Sequence, residues 1–456
     1  MPYTFNTEED RQAMFDAIGI ESFEELFESI PSDVRLERDL DMPPAMGELE
    51  LTQHMSALAD KNSPAGDKVC FLGAGSYDHF VPAAVDAIAS RGEFYTSYTP
   101  YQAEVSQGNL QVMFEYQTLI CALTGMDVSN ASLYDGGSAV AEAVLMCISS
   151  TGRRGNVVTV DSVHPEYRQT VATYLENLET RLATTRAPDG IVSPVQVASQ
   201  VDQNTACVLV QYPNFFGCVE DVQAMATIAH QAGALLVVAF DPIGSGILKR
   251  PGELGADVVV AEGQSLGTTM QYGGPYLGIL ACREQFVRRM PGRIVGQTID
   301  RLGRRCWVLT LQTREQHIRR EKATSNICTN QSLFALRASV YLSVLGPRGL
   351  RDVARLCLQK AQYAAERIVA DKRFELTYRH PFFKEFVVRD RQGRVPELLD
   401  QACQHGFLAG VPLGRWYPDL DDSFLVSVTE KRTKSEIDAL AERLAGANTK
   451  VESVHA

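Results

Sequence analysis

The 456-residue sequence lacks several features that are typical of membrane, secreted or metal-binding proteins. Its longest apolar runs, such as Ala234–Phe240, are far shorter than the roughly 18 residues that a membrane-spanning helix needs. The first ten residues contain neither a positively charged region nor an apolar region, so we expect no secretory signal and a cytoplasmic protein. HExxH is absent and no two histidines have metal-ligand spacing, so we expect no metal site.

The sequence also lacks closely spaced cysteine pairs and has fewer basic than acidic residues. The ten cysteines include no CxxC and lie mostly in apolar contexts, as expected for buried, reduced thiols in the cytoplasm. The 43 Lys and Arg residues are outnumbered by 56 Asp and Glu residues, which gives a net charge of −13. Phosphate binding needs a basic surface, so nucleic acid is not expected as a ligand. The short apolar runs argue against a membrane in the same way.

The charge is uneven along the chain. Residues 1–50 hold 14 acidic residues and three arginines, whereas residues 283–322 hold 11 Lys and Arg and four acidic residues. Such a basic stretch is more often a solvated or salt-bridged surface of the protein itself. The alternative is a docking surface for an anionic partner.

Secondary-structure patterns divide the chain into three parts. Residues 1–68 are predicted to form a helical arm, because Thr7 and Gly19 bound a short helical pattern. In residues 69–330, short apolar strands alternate with helices, which predicts an α/β domain with a mainly parallel sheet covered on both faces. Residues 331–456 combine a long helical stretch with strands and predict a small α+β C-terminal domain.

Polar residues follow several predicted strands of the parallel sheet. Ligands of such sheets bind beyond the carboxyl ends of the strands, so these residues form the candidate site. They are Asp135, Gly136, Gly137, Ser138, His164, Asn214, Asp241 and Ser265. The Asp135–Ser138 turn opens a helix and is either an anion site, through the free N–H groups of the helix, or an ordinary capped turn.

His164, Asp241 and Ser265 each allow more than one interpretation. Asp241 is either a turn cap or a carboxylate that pairs with a ring nitrogen and keeps a pyridinium protonated. His164 is either an ordinary packed histidine or an imidazole stacked on a flat cofactor. The motif Gly263-Gln-Ser265-Leu-Gly matches GxSxG, but a loop follows it instead of a helix, which argues against a serine hydrolase.

The segment Phe94–Gln117 is rich in tyrosines and amides. Pro100 and Gly108 indicate a loop, and a long loop of polar and aromatic residues is often functional. The alternative is a buried connection whose tyrosines pack in the core.

Five motifs make the sequence resemble the glycine cleavage system P-protein family, and more narrowly the alpha subunit of its split form. They are FLGAGSYDHFVP at 71–82, YTPYQAEVSQGNLQVMFEYQT at 98–118, YDGGSAVAEA at 134–143, FDPIGSG at 240–246 and TREQHIRREKATSNICTNQ at 313–331. The resemblance covers nearly the whole chain. It implies pyridoxal-phosphate fold type I, the aspartate aminotransferase-like architecture with a large and a small domain.

In that fold, a stacking His, a pyridinium-pairing Asp and a Schiff-base Lys follow one another along the chain. The resemblance assigns the first two to His164 and Asp241, but Ser265 stands at the expected lysine position. Serine cannot replace the lysine, because a Schiff base needs an amine. Lys249, the only lysine between Asp241 and Glu321, precedes the next strand and is poorly placed. The pocket is therefore expected to be degenerate, with no covalently bound pyridoxal phosphate on this chain.

The resemblance implies a heteromeric enzyme, expected as a heterotetramer, in which a homologous beta subunit carries the lysine and the cofactor. Together the subunits would decarboxylate glycine and transfer its aminomethyl group to the lipoyl arm of the H-protein, and this chain alone would be inactive. Tyr95, Tyr98 and Tyr101 are expected to cross the subunit interface to the partner's site. The alternatives are a stand-alone pyridoxal-phosphate enzyme using Lys249, or a purely structural or regulatory subunit.

Overall fold

The structure is a computed structural model that describes residues 5–323 and 325–446. It divides into two compact units, and the division follows Ser63. The first unit contains helices α1 (Glu8–Ile18) and α2 (Glu48–Ala59), joined by short 3-10 turns. Thr7 begins α1 with a capping box, and Gly19 ends it in the left-handed conformation with a φ of 84°.

The second unit begins at Pro64 and contains all the other helices and strands. Its helices are α3 (Ala83–Ala89), α4 (Gly92–Tyr95), α5 (Gln107–Thr124), α6 (Gly136–Thr151), α7 (Pro165–Leu175), α8 (Pro194–Ala198), α9 (Val222–Gln231), α10 (Gln316–Arg319), α11 (Ser332–Val369), α12 (Val395–Gln404) and α13 (Lys434–Leu444). Its strands are β1 (Val69–Cys70), β2 (Val128–Ser129), β3 (Asn156–Val160), β4 (Arg181–Thr185), β5 (Thr205–Tyr212), β6 (Leu235–Phe240), β7 (Val258–Glu262), β8 (Gly278–Cys282), β9 (Ile294–Ile299), β10 (Arg305–Thr310), β11 (Phe374–Leu376), β12 (Glu385–Asp390), β13 (Phe407–Leu408), β14 (Val411–Pro412) and β15 (Ser423–Ser427).

A seven-stranded sheet with the order β2-β8-β7-β6-β5-β3-β4 forms the centre of this unit. Strands β7, β6, β5, β3 and β4 are parallel, and β8 and β2 run antiparallel at one edge. Strands β5, β6 and β7 are almost continuous apolar runs, because helices cover both faces and bury all but one position of each strand. The predicted α/β class with a mainly parallel sheet is confirmed.

A four-stranded antiparallel sheet with the order β11-β12-β15-β14 forms a C-terminal α+β layer. Helix α11 joins this layer to the large sheet and bends at Gly346, whose φ of 59° is not helical. The two halves of α11 belong to different cores, since Tyr341 packs with the large sheet and Ala361 with the small one.

Strand β1 belongs to the C-terminal layer, although its residues are predicted as part of 69–330. It pairs in parallel with β13, Val69 with Phe407, and Phe71 directly after it is fully buried in the core of the small sheet. Lys68 adds a hydrogen bond to the carbonyl of Cys403, 335 residues further along the chain.

Strands β9 and β10 form a separate antiparallel hairpin that is paired with neither of these sheets in the described residues. Within the same residues, no helix combines the length and the hydrophobicity that crossing a lipid bilayer requires.

Candidate functional site

The carboxyl ends of the large sheet's strands meet at a small cavity. Asp241 follows β6, and His164, which caps α7, follows β3 by a short turn. The volume of the cavity is only about 40 Å³. It is lined by Gly75, Tyr77, His164, Tyr167, Gln211, Pro213, Gly217, Ala239, Phe240, Asp241, Pro242, Glu262, Phe383, Lys384 and Glu385. The structure therefore brings His164 and Asp241 together with side chains from the C-terminal layer.

Asp241 is paired with a lysine from that layer. Lys384 Nζ lies 2.7 Å from Asp241 Oδ2, while Asp241 Oδ1 accepts a hydrogen bond of 2.9 Å from the backbone N–H of Ile243. The side chain of Lys384 is only 1% exposed, and its Nζ lies 3.4 Å from the ring centre of Tyr77. This ammonium group lies where a ring nitrogen paired with Asp241 would have to be, so the carboxylate already has a cationic partner.

The ring of Tyr167 stacks on His164, with ring centres 4.5 Å apart and planes 22° apart. His164 Nε2 donates to the carbonyl of Ala74 at 2.9 Å, and Nδ1 accepts from the N–H of Glu166 at 3.2 Å. Burial lowers the pKa of His164, so the imidazole is neutral near pH 7. An aromatic ring of the chain itself therefore uses the face of His164 that the sequence predicts for a cofactor.

The N-terminus of α6 also has internal partners. Glu262 Oε2 accepts from the N–H of Gly136 at 2.9 Å, and Asp135 Oδ1 accepts from the N–H of Ser138 at 2.7 Å. The hydroxyl of Tyr167 is so close to Gly136 that a Cβ there would collide with it. Burial raises the pKa of Glu262 to about 8, because the N–H donors that favour the charged form offset only part of the desolvation.

Glu385 completes the cavity from the start of β12. Its Oε1 accepts from the N–H of Ala74 at 2.8 Å, and its Oε2 accepts from the hydroxyl of Tyr77 at 2.9 Å. Burial raises the pKa of Glu385 to about 7. Lys384 and Glu385 are therefore a buried pair of ionisable residues within an otherwise apolar segment.

Pyridoxal phosphate does not fit the pocket in this arrangement. Small-molecule pockets usually enclose about 300 Å³ or more, and this cavity is far smaller. The predicted ring-stacking, ring-nitrogen and phosphate partners are His164, Asp241 and the start of α6. Each is already engaged, by Tyr167, Lys384 and Glu262 respectively.

The two candidates for covalent chemistry lie outside this cavity. Ser265 is buried, and its hydroxyl has no hydrogen-bond partner among the described residues, so no base is in place to activate it. Lys249 is exposed in the segment after β6 and is not among the residues that line the cavity.

Tyr95, Tyr98 and Tyr101 form a separate exposed group. Their exposed fractions are 67%, 91% and 58%, and none of the three lines the cavity. Tyr95 ends α4, and the other two lie in the loop before α5. The ring of Tyr101 lies 5.7 Å from the guanidinium of Arg293, which is itself buried. The alternative of tyrosines packed in a core is therefore wrong for these three residues.

The basic stretch 283–322 has an internal and an exposed part. Arg293 and Arg314 are held by oxygen atoms of their surroundings, such as the side chain of Asn330 and the carbonyl of Gly292. The exposed part lies on the hairpin of β9 and β10. There, Arg304 pairs with the nearby Asp300 and remains 73% exposed.

Five residues of this site were not candidates in the sequence: Tyr77, Tyr167, Glu262, Lys384 and Glu385. Two signals were available. Glu262 ends an apolar strand in the same way as Asp241, and Lys384-Glu385 interrupts the apolar segment PFFKEFVV at 381–388. Tyr167 carries no such signal, because one tyrosine on a helix is ordinary.

Comparison with known proteins places these observations in one family. The family model described as glycine cleavage system P-protein matches residues 2–444. A "Probable glycine dehydrogenase (decarboxylating) subunit 1" from Desulforamulus reducens is 52% identical over 445 residues, covering 97% of this chain and 99% of that protein. A protein of the same description from Carboxydothermus hydrogenoformans is 51% identical over 446 residues, covering 98% of this chain and 100% of that protein.

Solved structures agree with this result. A glycine decarboxylase (P-protein) of the glycine cleavage system, in inhibitor-bound form, matches with a TM-score of 0.88 and 41% identity, covering 97% of this chain and 99% of that one. A sphingosine-1-phosphate lyase from Burkholderia pseudomallei matches with a TM-score of 0.67 and 15% identity, over 91% and 94% of the two chains, which shows the fold alone. The predicted pyridoxal-phosphate fold type I architecture is confirmed.

Proposed function

Because the chain belongs to the glycine cleavage system P-protein family, we propose that it is the subunit of a decarboxylating glycine dehydrogenase that does not carry the Schiff-base lysine. The observation that carries this proposal is Ser265, three residues after β7, where an amine would be needed, together with the pairing of Asp241 with Lys384. Relatives are named subunit 1, and such a name implies a partner subunit.

The partner is proposed to be a homologous beta subunit that binds pyridoxal phosphate and glycine. The cofactor supplies an electron sink for the loss of CO2, and the lipoyl arm of the H-protein accepts the aminomethyl group. The location is proposed to be cytoplasmic, which agrees with ten cysteines that are all unpaired.

This chain is proposed to contribute a wall of the partner's site through Tyr95, Tyr98 and Tyr101. Their rings are exposed, and the residues precede α5 in the chain, so they are free to cover a neighbouring surface. Aromatic side chains there would exclude water, and their hydroxyls would supply hydrogen bonds in a low-dielectric environment.

The direct test is reconstitution. This chain and the beta subunit are purified separately and assayed for glycine decarboxylation with lipoylated H-protein, singly and mixed. We expect activity only in the mixture. Activity of this chain alone would contradict the proposal and favour the stand-alone enzyme, which borohydride reduction and mass spectrometry would then show as a pyridoxyl adduct on Lys249.

A second assay separates a contributing wall from a purely structural subunit. The variant with Tyr95, Tyr98 and Tyr101 all changed to Phe keeps the aromatic rings and loses three hydroxyls. We expect kcat of the reconstituted enzyme to fall about tenfold or more, since one lost donor at an active site costs at least that much. Tyr174→Phe on α7 is the matched control, and normal turnover of the triple variant would favour the structural alternative.

A further inference from the structure

We infer that the cofactor pocket of this chain is filled from within: Tyr167, Lys384 and Glu262 replace the ring, the ring cation and the phosphate of pyridoxal phosphate, and they keep the cofactor out. This inference concerns the chain's own pocket and does not depend on the proposed partner.

Lys384 is fixed from several sides. Besides the 2.7 Å contact with Asp241, its Nζ lies 3.2 Å from Nε2 of His79, and Nδ1 of His79 lies 2.6 Å from a carboxylate oxygen of Glu430. His79 and Lys384 are both buried. The lysine is therefore part of a continuous polar chain and not a mobile side chain that a ligand could displace at little cost.

Tyr167 is fixed by the backbone and by its neighbours. His164 caps its helix three residues earlier, so the two rings stack about one helical turn apart. Its hydroxyl fills the space left by the missing side chain of Gly136. A pyridine ring could stack on His164 only after this aromatic ring had left the pocket.

Glu262 satisfies the donor that would bind the phosphate most directly. Its carboxyl group bonds three backbone N–H groups, those of Gly136, Gln264 and Leu277, at 2.9, 2.9 and 3.0 Å. A phosphate at the same place would face a carboxyl group instead of a free helix N-terminus.

A different use of this region is a metal site formed by His79, Cys357 and Glu430, whose ligand atoms lie close enough together for one ion. The ammonium group of Lys384 argues against it, because it lies 3.2 Å from His79 Nε2 and would repel a cation. The other ring nitrogen of His79 is already bonded to Glu430. The cluster is better explained as support for Lys384.

The test is pyridoxal phosphate binding by the full-length chain, measured by equilibrium dialysis. We expect no saturable site in the wild-type protein and about one site per chain in the triple variant Tyr167→Ala, Glu262→Ala, Lys384→Met. That variant frees the face of His164, the carboxylate of Asp241 and the start of α6. The matched control is Tyr174→Ala, Glu253→Ala, Lys431→Met, which removes another tyrosine of α7 and a paired glutamate and lysine outside the pocket, and it should bind no better than wild type.

Two results would overturn the inference. One is saturable binding of about one cofactor per wild-type chain that His164→Ala abolishes. The other is a triple variant that remains folded by circular dichroism but binds no cofactor. Should the triple variant fail to fold, the wild-type thermal midpoint decides: a ligand that binds the native state raises it, so we expect no change with added pyridoxal phosphate, and a rise would refute the filled pocket.

Discussion

Asp241 illustrates how a buried carboxylate can find its partners within the chain, without an external ligand. One oxygen accepts backbone N–H groups and the other meets Lys384. Its side chain is 11% exposed and that of the lysine 1%, so solvent screens the pair little. Burial of either side chain, Asp241 or Lys384, therefore depends on the presence of the other.

Removal of the lysine should be costly. We expect Lys384→Met to lower the free energy of unfolding by about 3–5 kcal/mol, since it leaves a buried charge without its partner. Lys431→Met, whose lysine pairs with Asp78 but is 32% exposed, should cost about 1 kcal/mol or less. Urea denaturation measures both, and equal losses would show that the Asp241–Lys384 pair has no special role.

The buried carboxyl groups predict a pH dependence of stability. Burial raises the pKa of Glu262 from 4.5 to about 8 and that of Glu385 to about 7. The folded state thus favours the protonated forms: their contribution is complete below about pH 4.5 and is lost as the pH rises through 7 to 8. We expect the urea midpoint to fall as the pH rises from about 4.5 to about 8, and Glu262→Gln to make this fall less steep. An equally steep decline in that variant would contradict the assignment to Glu262.

At the level of elements, the hairpin of β9 and β10 offers a compact basic surface. It carries the exposed residues Arg304 and Arg305, and the apolar side chains of Ile299 and Leu302 at its tip are 71% and 68% exposed. Arg293 and Arg314 of the same stretch are held internally. If the stretch docks an anionic partner such as the H-protein, the hairpin is the part that is free to do so.

Reversing the hairpin charges tests this role. We expect Arg304→Glu, Arg305→Glu to raise the KM for H-protein about tenfold at low salt, because each surface charge contact is worth up to about 1 kcal/mol. The effect should shrink as added salt screens the charges. Arg351→Glu, Arg355→Glu on α11 is a control with the same change of charge. An unchanged KM in an assembled complex would argue against docking here.

The positions of the strand ends explain which residues of the site could be located from the sequence. In a parallel sheet all carboxyl ends lie at one edge, so the order of strands was enough to bring His164 and Asp241 to one cavity. Lys384 could not be located in this way, because it precedes β12 in another sheet and reaches Asp241 only through packing between the layers. The stacking of Tyr167 depends on rotamers, which a sequence pattern does not specify.

At the level of the whole molecule, the second unit is one body with two cores. Helix α11 contributes to both, and β1 is separated in sequence from the layer in which it pairs. The pair of Asp241 and Lys384 adds a buried link between the large sheet and the C-terminal layer. Neither core is complete without residues from a distant part of the chain.

Because helix α11 contributes to both cores, we expect the second unit to unfold cooperatively. We expect calorimetry of the full chain to show one transition for the second unit, with equal calorimetric and van't Hoff enthalpies, because loss of the C-terminal layer would expose part of the large core. Circular dichroism and tryptophan fluorescence should give the same midpoint. The two tryptophans report on different parts of the unit, because Trp416 follows β14 and packs against Phe215, whereas Trp307 lies in β10. A separate early transition of the layer would contradict this.

The pairing of β1 with β13 also sets an order of events during synthesis on the ribosome. Lys68 emerges 335 residues before Cys403, to which it will bond, and at about 5–20 residues per second this means a wait of roughly 20–70 s. Throughout that time Phe71 has none of its β13 neighbours to bury it. The nascent chain therefore exposes Phe71 and the unpaired strand β1 until β13 has been synthesised, and we expect chains that terminate before β13 to be prone to aggregate.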